Sequence, residues 1–380
     1  MRATAFYAVL LFTLSASAQP FSVGTRQLSF VDAARNRTVG FTAHYPAASA
    51  GTDVPVADGE FPVLVFGHGF VMGVDVYSNL WNYFVPKGYI MVLPTTEGGI
   101  PPDHGAFGAD LAYLADAMQL ENTNASSEFF GHVLPATALM GHSMGGGASF
   151  LGASGNTNIQ ALVNFAAAET TPSAVAAAAT VQVPTLVFAA SEDCVAPIAA
   201  HQGPMYAALT VPCKAFVNIL GGGHCYFAEN SFTCTLGEFT CGPDLTISRT
   251  QQHAVMNDFA GLWLDHFLKG DELAYAAVLD SMTTSSRVDA EFTCLSTAVA
   301  EKEAAEWSLY PTVVNDQLFI AQPPINSTLH VIDATGRIVL PTRPANRSTS
   351  LTVGALREGT YQVVVETAKG RSAKWFVVVR

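Results

Sequence analysis

The sequence predicts a doubly wound, mostly parallel α/β sheet followed by a small antiparallel β-sandwich. Three observations lead there. Up to about residue 295, short apolar runs alternate with longer stretches of helical period, the pattern of parallel strands joined by crossover helices. Beyond about residue 306 the runs are short, β-rich and separated by turn signals, as in a sandwich of antiparallel sheets. The charge balance changes at the same place: residues 19–306 hold 9 basic and 27 acidic side chains, residues 307–380 hold 8 and 4.

The elements follow in order. Residues 26–32 and 38–45 form an opening hairpin around a turn at 33–37, since β-branched runs flank turn residues there. Residues 61–66, 90–94, 137–140, 162–166, 185–189 and 215–220 are apolar without alternation, as strands covered on both faces require. Helices are expected at 107–118 and 196–209, and at 250–268, where Val255, Phe259, Leu262 and Trp263 recur at helical spacing. In the second part, strands are expected at 315–320, 329–333, 337–340, 350–353, 359–366 and 372–379. Residues 296–306, polar and rich in Ala and Glu, read as a linker. The expected organisation is therefore a leader at 1–18, an α/β domain at 19–295, the linker, and a sandwich domain at 307–380.

Composition narrows the function. Of the 380 residues 49% are hydrophobic and 13% charged, which excludes a disordered chain and a coiled coil. A formal charge of −13 repels phosphate backbones, so no nucleic-acid partner is expected. Arg2, the apolar residues 5–14 and the small residues Ser15-Ala16-Ser17-Ala18 have the three-part form of a secretory signal peptide, cleaved after Ala18. That run is far short of the ~20 residues that span a bilayer, so no transmembrane segment is expected in the mature chain. Export permits disulfides among Cys194, Cys213, Cys225, Cys234, Cys241 and Cys294, and their spacing fits no zinc pattern. One arrangement is a Cys194–Cys225 bridge; another has Cys225, Cys234 and Cys241 staple their own loop, leaving Cys194 to one of them. Cys194–Cys213 is unattractive, because Cys213 begins its strand at the far end of the sheet.

The chemistry centres on Gly141-His142-Ser143-Met144-Gly145. It follows an apolar run directly and opens a helix. A serine on such a strand–helix turn needs a strained backbone, and small neighbours so that nothing clashes. A serine hydroxyl is inert until an oriented base takes its proton. Asp193 stands four residues beyond Ala189, and His224 follows Gly221-Gly222-Gly223 after the next apolar run. Neighbouring parallel strands bring those two loops together, so Ser143, His224 and Asp193 are the expected catalytic residues. Glu192 and Glu169 are weaker candidates for the acid. His142, His253 and His266 are expected to serve packing or the surface. The oxyanion needs two N–H donors. Met144 follows the nucleophile, and Phe70 stands in the Gly67-His68-Gly69-Phe70 loop, where His68 is expected to be a structural hydrogen-bonder.

Residues 61–69, 141–147, 183–197 and 221–224 together make residues 26–294 resemble a secreted α/β-hydrolase of the chlorophyllase, dienelactone-hydrolase and cutinase-like polyester-hydrolase group. The resemblance implies carboxylic ester hydrolysis with Ser143 as nucleophile, His224 as base, Asp193 as its orienter, and Phe70 and Met144 at the oxyanion-hole positions. Polyester hydrolases of this type place a tryptophan after the strand preceding the acid; here the region reads Ala168-Glu169-Thr170-Thr171. Phe70, Tyr226 and Phe227 are then expected either to line a cleft or to serve plain core or rim packing.

Leu309-Tyr310-Pro311, residues 329–340, residues 356–365 and the ending 375–380 are similar to a type IX secretion (Por) sorting domain, with Pro311-Thr312-Val313 in place of the usual Pro-Asn-Pro. That resemblance implies a partner in the type IX secretion machinery and a secreted or surface location. The leading expectation is thus a secreted serine esterase acting on a small-molecule or polymeric ester without metal or organic cofactor. A serine peptidase or acyltransferase on the same fold is the alternative, and a non-catalytic surface-binding protein the third reading.

Overall fold

The unalternating apolar runs become the interior strands of a ten-stranded sheet. This computed structural model describes residues 20–294 and, with gaps at 322, 324–326, 334–336, 346–347 and 368–369, residues 307–380. The expected leader and linker lie outside the described residues. The chain divides into two units, Met1–Cys294 and Leu295–Arg380.

In the first unit the strands are β1 (Ser22–Asp32), β2 (Arg37–Ala47), β3 (Gly51–Thr52), β4 (Phe61–Gly67), β5 (Ile90–Pro94), β6 (Val133–His142), β7 (Ala161–Phe165), β8 (Thr185–Ala190), β9 (Cys213–Ile219) and β10 (Val288–Cys294). Their order in the sheet is β10-β9-β8-β7-β6-β4-β5-β2-β1-β3. From β5 to β9 every pairing is parallel. The hairpin β1–β2 joins antiparallel to β5, and β10 closes the other edge antiparallel to β9.

The helices are α1 (Ser78–Phe84), α2 (His104–Glu121), α3 (Met144–Ala153), α4 (Ala174–Ala178), α5 (Gln202–Ala208), α6 (Phe232–Cys241), α7 (Arg249–Lys269) and α8 (Glu272–Thr284). Alternate residues of one strand serve opposite faces of the sheet. On β4, Val63 and Val65 join the core with Phe107, Leu111 and Leu114 of α2, while Leu64 and Phe66 pack in the core of α1, α7 and α8. Each such side chain, wholly withdrawn from water, contributes roughly 1.5–3 kcal/mol. This two-sided burial explains why the runs show no polar alternation. Helix α7 starts on a capping box formed by Ser248 and Gln251 and ends on Gly270 at φ 72°, a left-handed conformation that glycine adopts without the penalty a side chain brings.

Three features differ from the sequence expectation. Helix α5 begins at Gln202 rather than near 196, because Asp193 and Pro197 hold the intervening residues in turns. Helix α8 and edge strand β10 were not anticipated. Strand β10 pairs residue by residue with β9, ending at Cys294 opposite Cys213.

The second unit holds two sheets around one core. Strands β11 (Ser308–Tyr310), β12 (Val313–Val314), β13 (Gln317–Ala321), β14 (Thr328–Asp333), β15 (Ile338–Pro344), β16 (Ser348–Thr352), β17 (Gly359–Thr367) and β18 (Gly370–Val378) form a β11-β13-β16 sheet and a β12-β18-β17-β14-β15 sheet. The pairings are antiparallel except for β12, which runs parallel to β18, so the expected antiparallel sandwich carries one parallel edge. Leu318, Ile320, Val331, Val363 and Phe376 fill the space between the sheets. No helix among the described residues is long and apolar enough to cross a membrane.

Candidate active site

Ser143 sits between β6 and α3 at φ 55° and ψ −120°, a conformation that costs a non-glycine residue on the order of 1–3 kcal/mol. The surroundings impose it. The Ser143 amide donates to the Phe165 carbonyl (3.0 Å), and its own carbonyl accepts from Gly147 (3.0 Å) and Ala168 (2.9 Å). Glycine is required on both sides by close approach: a Cβ on Gly141 would lie 2.2 Å from the Gly145 carbonyl oxygen, and one on Gly145 would lie 2.1 Å from that of Gly67. The backbone is thus packed on backbone, and Ser143 itself is half-buried.

The loops after β8 and β9 bring Asp193 and His224 to the same place. The His224 ring lies with Nε2 2.9 Å from Ser143 Oγ and Nδ1 2.7 Å from Asp193 Oδ2. Asp193 Oδ1 accepts the amides of Val195 (3.0 Å) and Ala196 (2.7 Å), which fixes the carboxylate. A carboxylate only accepts, so His224 Nδ1 carries its proton and Nε2 is left to receive one from the serine. Both side chains are buried.

Beneath His224 lies a second, wholly buried histidine. His142 donates through Nε2 to the His224 carbonyl (3.1 Å) and accepts at Nδ1 from the Tyr77 hydroxyl (3.0 Å). The Tyr77 oxygen in turn accepts from the Gly69 amide (2.8 Å). Burial first, then the neighbouring His224, holds His142 well below the ordinary imidazole range, and burial pushes the Tyr77 hydroxyl up. Both therefore stay neutral, as their shared hydrogen bond requires. This relay ties the backbone of the base to the loop after β4, a link with no sequence signal because its members are 65 and 82 residues apart.

The two expected oxyanion donors belong to the turn that carries Ser143 and to the loop packed against that turn. Met144 is the first residue of α3, so its amide has no partner within the helix. Phe70 follows Gly69 in the loop that presses against Gly145 and is exposed. His68 contacts the carbonyls of Gly69 (2.9 Å) and Thr96 (2.8 Å), a structural position. The alternative acids stand elsewhere: Glu169 caps α4 through Ser173 and the Val175 amide, and Glu192 accepts from Ser191. Of the two roles open to Phe227, the core one is found: it packs on His142 and Phe165, because the 3-10 turn His224–Phe227 points it inward. Tyr226 lies half-buried against the Arg249 guanidinium, 4.4 Å from its ring centre.

Helix α6 holds the rim. Cys225, beside the base, is bonded to Cys234, and Cys194, beside the acid, to Cys241. Of the arrangements open from sequence, the one leaving Cys194 to the 225–241 loop is found. Cys213 pairs with Cys294 across β9 and β10. Glu238 is buried and accepts the Cys225 amide (2.7 Å), and Thr233 donates to the Val71 carbonyl (3.1 Å). Gln252 of α7 completes the support by pairing with both backbone groups of Gly223 (3.0 and 2.9 Å). Among the described residues no three His, Cys, Asp or Glu side chains gather as a metal ion would need.

Residues 11–242 match the family model described as PET hydrolase-like. That is more than half of the chain, and the chain belongs to this family. Residues 308–379 match the secretion system C-terminal sorting domain, which marks the chain for type IX export, to the cell surface or the medium. Among curated proteins, the chain is similar to chlorophyllase type 0 of Chenopodium album, 32% identical over 30% of this chain and 34% of the relative. A bis(hydroxyethyl) terephthalate hydrolase of Streptomyces coelicolor is 25% identical over 53% of this chain and 59% of its own length. The cutinase est2 of Thermobifida alba is 25% identical over 60% and 69%. The chain spans about a third of the chlorophyllase it matches.

Proposed function

We infer that this member of the PET hydrolase-like family is a secreted serine hydrolase that cleaves carboxylic esters through an acyl-enzyme. One observation carries the reading: an unbroken hydrogen-bonded line from Ser143 Oγ through His224 to Asp193, built on a strained strand–helix turn. The relatives' names, a chlorophyllase, a terephthalate-ester hydrolase and a cutinase, point to the same bond type.

Ser143 Oγ attacks the ester carbonyl while His224 Nε2 takes its proton. Asp193 holds the ring in the tautomer that can accept and stabilises the imidazolium that forms. Negative charge develops on the carbonyl oxygen, and the amides of Met144 and Phe70 are assigned to receive it. The tetrahedral adduct collapses, the alcohol leaves with the proton from His224, and the acyl group remains on Ser143. Water then attacks, giving its proton to His224, and the acid is released with Ser143 restored. In this reading residues 1–18 are removed as a signal peptide. Residues 19–295 do the chemistry, residues 296–306 link, and residues 307–380 serve the secretion machinery. Small-molecule and polymeric esters are both within its scope.

Ser143→Ala should abolish hydrolysis of a soluble p-nitrophenyl ester and labelling by a fluorophosphonate probe, with the thermal unfolding midpoint unchanged. Retained labelling of that variant would refute the assignment.

A further inference from the structure

His68 stands on the loop after β4, 2% exposed, with its ring packed on Phe107 of α2. Nδ1 lies 2.9 Å from the Gly69 carbonyl oxygen, and Nε2 lies 2.8 Å from that of Thr96. A carbonyl oxygen only accepts, so each contact needs a hydrogen on the nitrogen. A neutral imidazole carries one such hydrogen and an imidazolium two. With either nitrogen bare, its lone pair would face that of a carbonyl, an arrangement that burial makes costly.

The surroundings suit the charge that this implies. The Thr96 hydroxyl donates to the buried carboxylate of Asp110 (2.6 Å), a member of the ion-pair chain Asp32, Arg35, Asp110, Arg37 and Glu97. Three carboxylates meet two guanidiniums there, which leaves one negative charge in excess. An imidazolium on the other side of Thr96 offsets it. Its two bonds to carbonyls are charge-assisted, the stronger kind.

The charge bears on the oxyanion donor. The Gly69 carbonyl and the Phe70 amide belong to one peptide unit, which is trans, so they point in opposite directions. That carbonyl accepts from His68 Nδ1 and from the Met72 amide (3.1 Å), and the Gly69 amide is held by the Tyr77 hydroxyl (2.8 Å). The peptide plane is thereby fixed. The Phe70 amide meets no acceptor of its own among the described residues. A carbonyl engaged by a cation also polarises the N–H of its own unit and makes it a stronger donor.

We propose that His68 is a buried imidazolium that aims and strengthens the Phe70 amide. It is a positioning residue for the oxyanion, acting through the peptide and not by touching substrate. Its part in the reaction rests on the ester-hydrolase reading above; its charge does not.

The first measurement uses the full chain without substrate. Nitrogen NMR of protein carrying nitrogen-15-labelled histidine at pH 7.5, with the His68 ring identified by its contacts to Phe107, should show hydrogens on both ring nitrogens. A bare nitrogen would overturn the proposal. The second compares two neutral replacements. In His68→Asn the amide nitrogen reaches the place of Nδ1 and keeps the Gly69 bond; in His68→Gln it reaches toward Thr96 and that bond is lost. On p-nitrophenyl butyrate kcat should fall at least tenfold in the Gln variant and at least threefold, but less than in Gln, in the Asn variant. KM should stay within twofold in both. Affinity for a trifluoromethyl ketone, whose adduct with Ser143 places an oxyanion in the same hole, should fall by the same factor as kcat. An unchanged kcat in either variant, a loss carried by KM, or undiminished affinity for the ketone would overturn the proposal. Should the Gln variant not fold, the ring hydrogens and the Asn variant decide. Failure of the ester-hydrolase reading would show instead as a parent without turnover, with the NMR result standing.

Discussion

The two sides of the site are held by different physics. On the nucleophile side, around Gly141–Gly147, backbone packs on backbone at distances that exclude a methyl group, and Ser143 keeps a strained conformation because its amide and carbonyl are fully engaged. On the acid and base side, the loops after β8 and β9 meet side chains instead, a Cβ on Gly222 lying 2.5 Å from Gln252 Oε1 and one on Gly223 2.5 Å from Leu245 Cδ2. They are held from outside by two disulfides, by Glu238 on the Cys225 amide and by Gln252 on Gly223. The first device is local in sequence and intolerant of change. The second is assembled from residues far apart, and each of its members can be removed singly.

That contrast predicts a ranking. Gly145→Ala should have the largest effect, because its Cβ would meet the carbonyls of Gly67 and His68, 2.1 and 2.6 Å away, and neither can yield as a flexible side chain would. A cost of roughly 3 kcal/mol or more and at least a hundredfold loss of kcat are expected, read by thermal unfolding and ester turnover. Activity close to the parent's would show that the elbow is not packed this tightly.

Removing the outer clamp should cost stability more than chemistry. Cys194→Ser with Cys241→Ser opens a 47-residue separation, which chain entropy values at roughly 4 kcal/mol as an upper figure. Turnover should fall less than tenfold, since the Val195 and Ala196 amides still hold Asp193. A denaturant titration beside a kinetic assay separates the two quantities. A larger loss in kcat than in stability would make the clamp part of the chemistry.

Acid should act on stability through buried neutral histidines. Burial lowers His44, stacked on Trp81, from 6.5 to about 4, and holds His142 low as well. The unfolded chain takes up these protons near pH 6.5 and the folded chain does not, so stability is full above 6.5 and declines as pH falls toward about 4. For His44 alone the shift is worth about 3 kcal/mol. Unfolding midpoints at pH 7.5 and 4.5 should differ accordingly, and His44→Gln should flatten the difference. Equal midpoints in the parent would contradict the burial argument.

The same contrast explains what was legible in the sequence. The elbow could be read because its glycines and serine are contiguous, and Asp193 and His224 because each ends an apolar run whose neighbour is parallel. The relay through Tyr77 and His142 could not, since it depends on which side chains meet beneath the base. Strand β10 did leave a trace: Val288, Ala290, Phe292 and Cys294 alternate with polar residues, the period of an edge strand. Phe227 could serve cleft or core by its sequence, and only the turn that carries it decides that it points inward. The buried Glu238 gave no signal, because nothing local distinguishes it from a solvent-facing helix carboxylate.

The most direct test of the central claim is to find the acyl group itself. Enzyme mixed with p-nitrophenyl acetate and quenched in acid within the first turnover should carry one acetyl group per molecule, and peptide mapping should place it on Ser143. An acetyl group on another residue, or turnover with no adduct at any time point, would contradict the account.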